Sequence, residues 1–259
     1  MEKKMIFYSH IFLLLFSAMG CCIEGSGSVK QREVYVSSFS QIEIDLPAAI
    51  HVRYGEQPDL FIQTDENILD HIHSKVNGDT LFLTLNPDDC CIEPTVLNVY
   101  VSMQQFEGIR TDGSVHVMLK DSFDTEHFAA TITGAGELEM RAPLRAETIE
   151  FNVDGSGRVS GELYTDSLMT SLDGTARIIL AGSASYHLLD VDGAATVNAF
   201  HLNTSHTEIN LDGSAHLEVQ ADDRLDVSID GIGEVYYSGN PEVEQQIDGI
   251  GSVRQMDVN

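Results

Sequence analysis

From residue 106 onward the chain repeats one short phrase eight times. It consists of an apolar residue, Asp or Thr, Gly, in most copies a small residue, and an apolar residue four places after the Gly. Val153-Asp154-Gly155-Ser156-Gly157-Arg158-Val159 returns as Leu172-Asp173-Gly174-Thr175-Ala176-Arg177-Ile178. Further copies centre on Gly134, Gly193, Gly213, Gly231 and Gly249, and a degenerate first copy centres on Gly113. Successive glycines stand 21, 21, 19, 19, 20, 18 and 18 residues apart. Around each glycine the side chains keep one phase. Positions one, three and five before the Asp are inward in register, as in Ile229, Val227 and Leu225 or Leu211, Ile209 and Thr207. The fourth residue after the Gly is Val117, Leu138, Val159, Ile178, Val197, Leu217, Val235 or Val253. Period-two alternation on both sides of a fixed Gly reads as strand, corner, strand. At the corner, Gly is expected to supply a positive φ, and the Asp before it to bond the backbone two residues on.

One such coil buries too few side chains to offset the entropy of ordering it, so coils must stack and share a core. The period leaves no room for crossover helices. The expected fold is all-β, a parallel β-helix or closely related β-solenoid with 18–21 residues per coil, preceded by an N-terminal β section.

Upstream, Lys3 and Lys4 precede a largely apolar run from Ile6 to Gly20 that ends at Ala18-Met19-Gly20-Cys21. Residues 1–20 read as a secretory signal. The ending resembles a bacterial lipoprotein signal, with Met19 a mild departure, and makes Cys21 the acylated residue. Cys22 is an alternative, and a plain signal peptide or a membrane span are competing readings, although the run is short for a span. Residues 21–32 then read as a flexible tether, with Gly25-Ser26-Gly27-Ser28 at its centre. Residues 33–105 form the N-terminal β section and 106–259 the solenoid. In the β section, alternating runs at Val34–Val36, Ile42–Ile44, Ile50–Val52, Leu60–Ile62, Leu81–Leu85 and Leu97–Val101 read as strands. Asp65 is a candidate N-cap for one or two helical turns reaching Ile72, and Asn77-Gly78-Asp79 signals a hairpin.

The formal charge is −27. Removing residues 1–20 takes away two lysines and one glutamate and leaves about −28 at neutral pH. Such a chain repels nucleic acid and anionic lipid surfaces. The candidate chemistry is the corner column: Asp154, Asp173, Asp192, Asp212, Asp230 and Asp248 stack on six consecutive coils. Neighbouring carboxylates at about 4.8 Å repel by about 0.9 kcal/mol in water. Each Asp is therefore expected to cap its own turn and face outward. Weak Ca2+ bridging is the sharper alternative, but Ca2+ takes 6–8 oxygens and one Asp per coil supplies few. No other cofactor is implied. The histidines show no zinc spacing and read as surface or partly buried groups. For Cys90 and Cys91, a vicinal disulfide, pairing of one with Cys22, and free thiols all fit.

No nucleophile elbow, phosphate loop or metalloprotease motif is present, so the residues point away from an enzyme. A polysaccharide-active β-helix enzyme is the alternative, and would need acids converging on adjacent coils. A periplasm-facing structural module is a third reading.

The stretch from about Phe39 to Arg254 resembles the putative auto-transporter adhesin, head GIN domain family of bacterial envelope proteins. The likeness rests on Phe39-Ser-Gln-Ile42-Glu-Ile44, Asp65-Glu-Asn67-Ile68-Leu69, Gly78-Asp79-Thr80-Leu81 and Val99-Tyr100-Val101. It is strongest at Gly231-Ile232-Gly233-Glu-Val235-Tyr236-Tyr237-Ser-Gly239-Asn-Pro241 and Gly249-Ile250-Gly251-Ser-Val253. The chain departs from the family's Ser-Gly-Ser-Gly phrase by placing Asp before many glycines and Ala after several, so no family binding role falls on a particular residue. The resemblance implies a β-solenoid and a non-enzymatic adhesive role. With the signal, it implies an outer-membrane lipoprotein, held by its acyl anchor and exposed at the cell surface. Its partner would be a protein or glycan, and an unpaired terminal coil invites self-association.

Overall fold

A computed structural model describes residues 22–89 and 91–256. The expected signal at 1–20, the acylation candidate Cys21, and Cys90 lie outside the described residues. Among the described residues twenty-one strands follow in order, with one 3-10 turn at Leu69–His71. The first nine are β1 (Cys22–Glu24), β2 (Val29–Val34), β3 (Gln41–Asp45), β4 (Ala48–Tyr54), β5 (Asp59–Asp65), β6 (Ile72–Asn77), β7 (Thr80–Leu85), β8 (Cys91–Glu93) and β9 (Leu97–Met103). Then come β10 (Gly108–Asp112), β11 (Ser114–Leu119), β12 (Phe123–Ile132), β13 (Ala135–Val153), β14 (Ser156–Leu172), β15 (Thr175–Val191) and β16 (Ala194–Leu211). The last are β17 (Ser214–Gln220), β18 (Arg224–Ile229), β19 (Ile232–Ser238), β20 (Glu242–Ile247) and β21 (Ile250–Gln255).

The fold is a parallel β-solenoid. One face runs into the Asp-Gly corner and stacks β3, β10, β12, the ends of β13 to β16, then β18 and β20, all parallel. The other face leaves the corner and stacks β9, β4, β11, the starts of β13 to β16, then β17, β19 and β21. The alternation seen in the sequence becomes two inward ladders. Ile42, Ile109, Ala130, Phe151, Thr170, Leu189, Ile209 and Val227 lie in register on the first face. Ile50, Val117, Leu138, Val159, Ile178, Val197, Leu217 and Val235 do so on the second. All are buried, each large aliphatic contributing about 2 kcal/mol of apolar transfer.

The corner glycines have a different physical reason from the expected one. Only Gly113 and Gly134 take a positive φ, +89° and +133°; Gly155, Gly174, Gly193, Gly213, Gly231 and Gly249 do not. Each of these six instead lies against the corner of the coil before it. A Cβ on Gly174 would collide with the carbonyl oxygen of Gly155, and one on Gly193 with that of Gly174. The ladder runs straight through the corner: Thr175 N donates to Gly155 O at 2.7 Å and Ala194 N to Gly174 O at 2.8 Å. Glycine is required there because two backbones meet with no room for a side chain.

The expected division at residue 105 does not interrupt this sheet. β3 pairs with β10 and β4 with β11, so Asp45-Leu46-Pro47 is already a corner aligned with Asp112. The antiparallel strands close that end: β5 pairs with β9 and β2, and β6 with β7 across Gly78, φ +60°. The expected tether at 21–32 is also corrected. β1 pairs in parallel with β8, and β2 lies antiparallel on β5. The cause is Asp65, which caps no helix; its carboxylate is buried and accepts from Gly27 N at 2.6 Å, Thr95 N at 2.8 Å and Thr95 Oγ1 at 2.8 Å. Burial alone would raise its pKa, but those hydrogen bonds outweigh it and hold the carboxyl below its ordinary value. Gly25 fits because a Cβ would come within 2.8 Å of Thr95 N and closer still to the Asp65 carboxylate. Asn67 completes the clamp, taking Ser26 N at 2.9 Å and donating to Glu24 O at 2.8 Å.

Candidate functional site

Beyond the second corner each coil has a short third side before it rejoins the first face. There Asp124, Arg145, Tyr164, Ser183 and Asn203 stand in register on successive coils. Two places on, the ladder skips one residue per coil, between the pairs Thr125–Ala146 and His127–Thr148 and their successors. The skipped residues are Glu126, Glu147, Asp166, Ser185 and Ser205, all exposed. With Glu107, Glu150, Met169 and Asp222 they line a long groove running along the solenoid axis. Its early coils carry three carboxylates at strand spacing, about 4.8 Å, and its later coils carry hydroxyls in the same positions.

Several contacts hold the groove walls. The Arg145 guanidinium lies over the Tyr164 ring, 4.8 Å from its centroid. The Tyr164 hydroxyl donates to the Glu162 carboxylate, and that bond raises the phenol above its usual range. His127 Nδ1 and Thr148 Oγ1 are 2.6 Å apart, and Asn152 Nδ2 donates to Glu150 Oε1 at 2.7 Å. Past the groove, Arg224 donates to both Asp226 oxygens, at 2.9 and 2.7 Å, and to Glu244 at 3.0 Å. His206 reaches the same Asp226 at 2.8 Å. The Arg224 bond, ahead of the others, holds the Asp226 carboxyl below its ordinary value. Tyr186, pushed up to about 12 by burial and then by its bond to Glu208, is a locked hydroxyl donor at 2.7 Å.

The corner acids stand elsewhere. Asp154, Asp173, Asp192, Asp212, Asp230 and Asp248 are all exposed, and none lines the groove. Their backbone N–H groups bond to the previous coil, as Asp173 N does to Val153 O at 2.9 Å. No group of three or more His, Cys, Asp or Glu side chains is placed to hold a metal ion among the described residues. The groove column stands eight places before each corner glycine, but it was not picked out in the sequence, because its residues change from acids to serines along the coils and belong to neither apolar ladder.

The thiol alternatives resolve in part. Cys22 and Cys91 form a disulfide with Cα atoms 4.6 Å apart, at the capped end of the solenoid. That occupies the Cys22 sulfur and removes it as the alternative acylation site. Among the histidines, His187 is inside the core at 1% exposure, its Nε2 3.3 Å from Thr170 Oγ1, and burial pushes its pKa down to about 4. Among the described residues no helix is long and apolar enough to cross a membrane.

This architecture is shared with solved structures. A protein from Parabacteroides distasonis ATCC 8503, described as a putative lipid binding protein, superposes with a TM-score of 0.83 at 24% identity, covering 91% of this chain and 99% of that one. A putative adhesin from Parabacteroides merdae ATCC 43184 gives 0.78 at 20% identity, over 91% and 99% of the two chains. A putative adhesin from Bacteroides fragilis NCTC 9343 gives 0.66 at 19% identity, over 90% and 100%. At these identities the likeness is one of fold. No curated protein matches the chain. The family described as "Putative auto-transporter adhesin, head GIN domain" matches residues 38–241, from just before β3 to the residue before β20, and the chain belongs to that family.

Proposed function

We propose that the protein is a non-enzymatic, lipid-anchored envelope protein that presents a rigid acidic β-solenoid for adhesion at the bacterial surface, with the long groove as its ligand-binding face. The observation that carries this reading is how the start of the described chain is fastened to the capped end of the solenoid. The residue after Cys21 is stapled to the capped end by the Cys22–Cys91 disulfide and the Asp65 clamp, so an acyl chain on Cys21 would hold the solenoid by that end. The groove then lies along the flank, on a scaffold with little freedom to move. Family membership supports the adhesive assignment, and the similar fold called lipid binding in its own name makes lipid a ligand to include in any screen.

Protease shaving of intact cells, with lysed cells as control, tests the location. Release of peptides from 106–259 is the expected outcome; protection in intact cells, with cleavage of the same native protein after lysis, sinks the surface reading. A Cys21→Ala form should leave the membrane without detergent. The groove is tested by binding to glycan and protein arrays, where Glu126→Gln, Glu147→Gln and Asp166→Asn together should weaken binding about tenfold or more if the carboxylates contact the ligand.

The polysaccharide-active alternative draws on one observation: Glu126, Glu147 and Asp166 converge on three adjacent coils of one groove. It requires release of new reducing ends or unsaturated products from a polysaccharide panel, abolished by Glu147→Gln alone. Binding without turnover excludes it.

A further inference from the structure

Among the described residues the solenoid is capped by antiparallel strands at one end and presents two open strand edges at the other. At the start, antiparallel strands cover the outer edges of β7 and β9, and the new edge strands β2 and β6 carry Lys30, Arg32 and Lys75. Charged edges of that kind discourage further pairing. At the far end β20 bonds only to β18, and β21 only to β19, among the described residues. Their outer N–H and C=O groups face away from the stack. The side chains change there too. The position after each corner glycine is Ser114, Ala135, Ser156, Thr175, Ala194 and Ser214 along the solenoid, then Ile232 and Ile250 in the last two coils. Those isoleucines are 57% and 74% exposed, and Ile247, just before the last corner, is exposed as well.

We infer that this terminal coil docks onto the terminal coil of a second copy, tail to tail. A two-fold axis through the Asp248-Gly249 corner lays β20 of each copy antiparallel on β21 of the other, which satisfies both open edges at once. The two registers centred on that corner that keep inward side chains inward place either Glu242 or Glu244 opposite the second copy's Arg254. The symmetry makes that contact twice. A head-to-tail filament has no equivalent, since the capped end offers only charged edges. From β9 to β21 the stack is nine steps of about 4.8 Å, about 43 Å in all. The pair would therefore carry its two anchored ends about 90 Å apart and facing opposite ways. On anchored proteins this is a homophilic bridge between two membranes. The bridging rests on the surface-anchored reading above, whereas the edge pairing does not.

The test uses the chain from residue 22 onward, which holds every described strand, in sedimentation equilibrium. A monomer–dimer equilibrium is expected, with Arg254→Glu weakening it about tenfold by reversing two symmetry-related contacts. Adding Glu242→Lys and Glu244→Lys to Arg254→Glu should restore it, a rescue that loss of folding could not produce; circular dichroism checks that each variant is folded. A chain that stays monomeric up to about 100 µM overturns the proposal, as does a dimer indifferent to Arg254→Glu. Two dye-labelled vesicle populations carrying the chain by its N-terminus then test bridging. Mixed clusters with wild type and the rescued variant, but not with Arg254→Glu, support it. Dimers without clustering overturn the bridge and leave the pairing. Clustering by a protein that cell shaving places inside the envelope overturns the surface reading alone.

Discussion

A single methyl group distinguishes the two roles that glycine plays in this chain. At Gly174 the backbone is ordinary and the space is missing, because the Gly155 carbonyl of the preceding coil sits where a Cβ would go. At Gly27 the space is free but φ is +76°. Gly174→Ala should destabilise by about 3 kcal/mol through overpacking, and Gly27→Ala by about 1 kcal/mol through backbone strain, read from urea unfolding midpoints. Equal effects would contradict the close-packed account of the corner. His187 offers a second residue-scale test. Its folded pKa, about 4, lies below the ordinary value of 6.5, so the folded state binds fewer protons between those values. The stability it allows is present above about pH 6.5 and is lost as pH falls towards 4, by up to about 3 kcal/mol. Carboxylate protonation changes stability over the same range, so the comparison is with His187→Leu: the wild type should lose more stability than the variant between pH 7 and pH 4.5. That His187 is inward was legible in the sequence, since it is the fifth residue before Asp192. Its neighbour Thr170 is the third before Asp173, and the same count identifies Thr207.

At the scale of strands and coils, the changing repeat length has one source. Between Met140 and Leu144 three residues stand opposite the single Glu162 of the next coil, which turns a 21-residue coil into a 19-residue one. A smaller irregularity near Ile179 accompanies the 20-residue coil. The length varies at the second corner, while the Asp-Gly corner and both inward ladders hold register. The N-terminal segment makes the opposite point. Gly25-Ser-Gly27-Ser has the composition of a linker, yet Gly25 is there to approach Asp65 and Gly27 to present its N–H to the same carboxylate. Asp65→Ala should free this segment, giving cleavage between residues 24 and 34 under limited proteolysis where the wild type resists. The Cys22–Cys91 link spans 69 residues of sequence. Closing a loop of that length stabilises by about 4 kcal/mol in the chain-entropy treatment. A non-reduced peptide map should contain the Cys22–Cys91 cross-link, and reduction should lower the urea midpoint accordingly.

Across the whole molecule, charge and connectivity act together. A formal charge of −27 on one rigid rod repels itself, and the exposed corner acids repeat that repulsion at every coil. Raising salt from about 10 mM to about 300 mM should therefore raise the melting temperature by about 2–4 °C, since screening shortens with the Debye length. Specific cation binding at the corner would instead show as a larger rise with Ca2+ than with NaCl at equal ionic strength. The periodicity of the sequence by itself determined the solenoid, its coil size, its corners and its two inward faces, because those follow from local alternation repeated in phase. It did not decide which strands cap the stack, that Asp65 binds residues 38 and 30 positions away, or that Glu126, Glu147 and Asp166 share a groove. The capping strands and the Asp65 contacts join residues whose sequence separation carries no period. The groove acids do keep the period, each eight places before a corner glycine, but the skip in the ladder that turns them outward together appears only when the coils close onto one another.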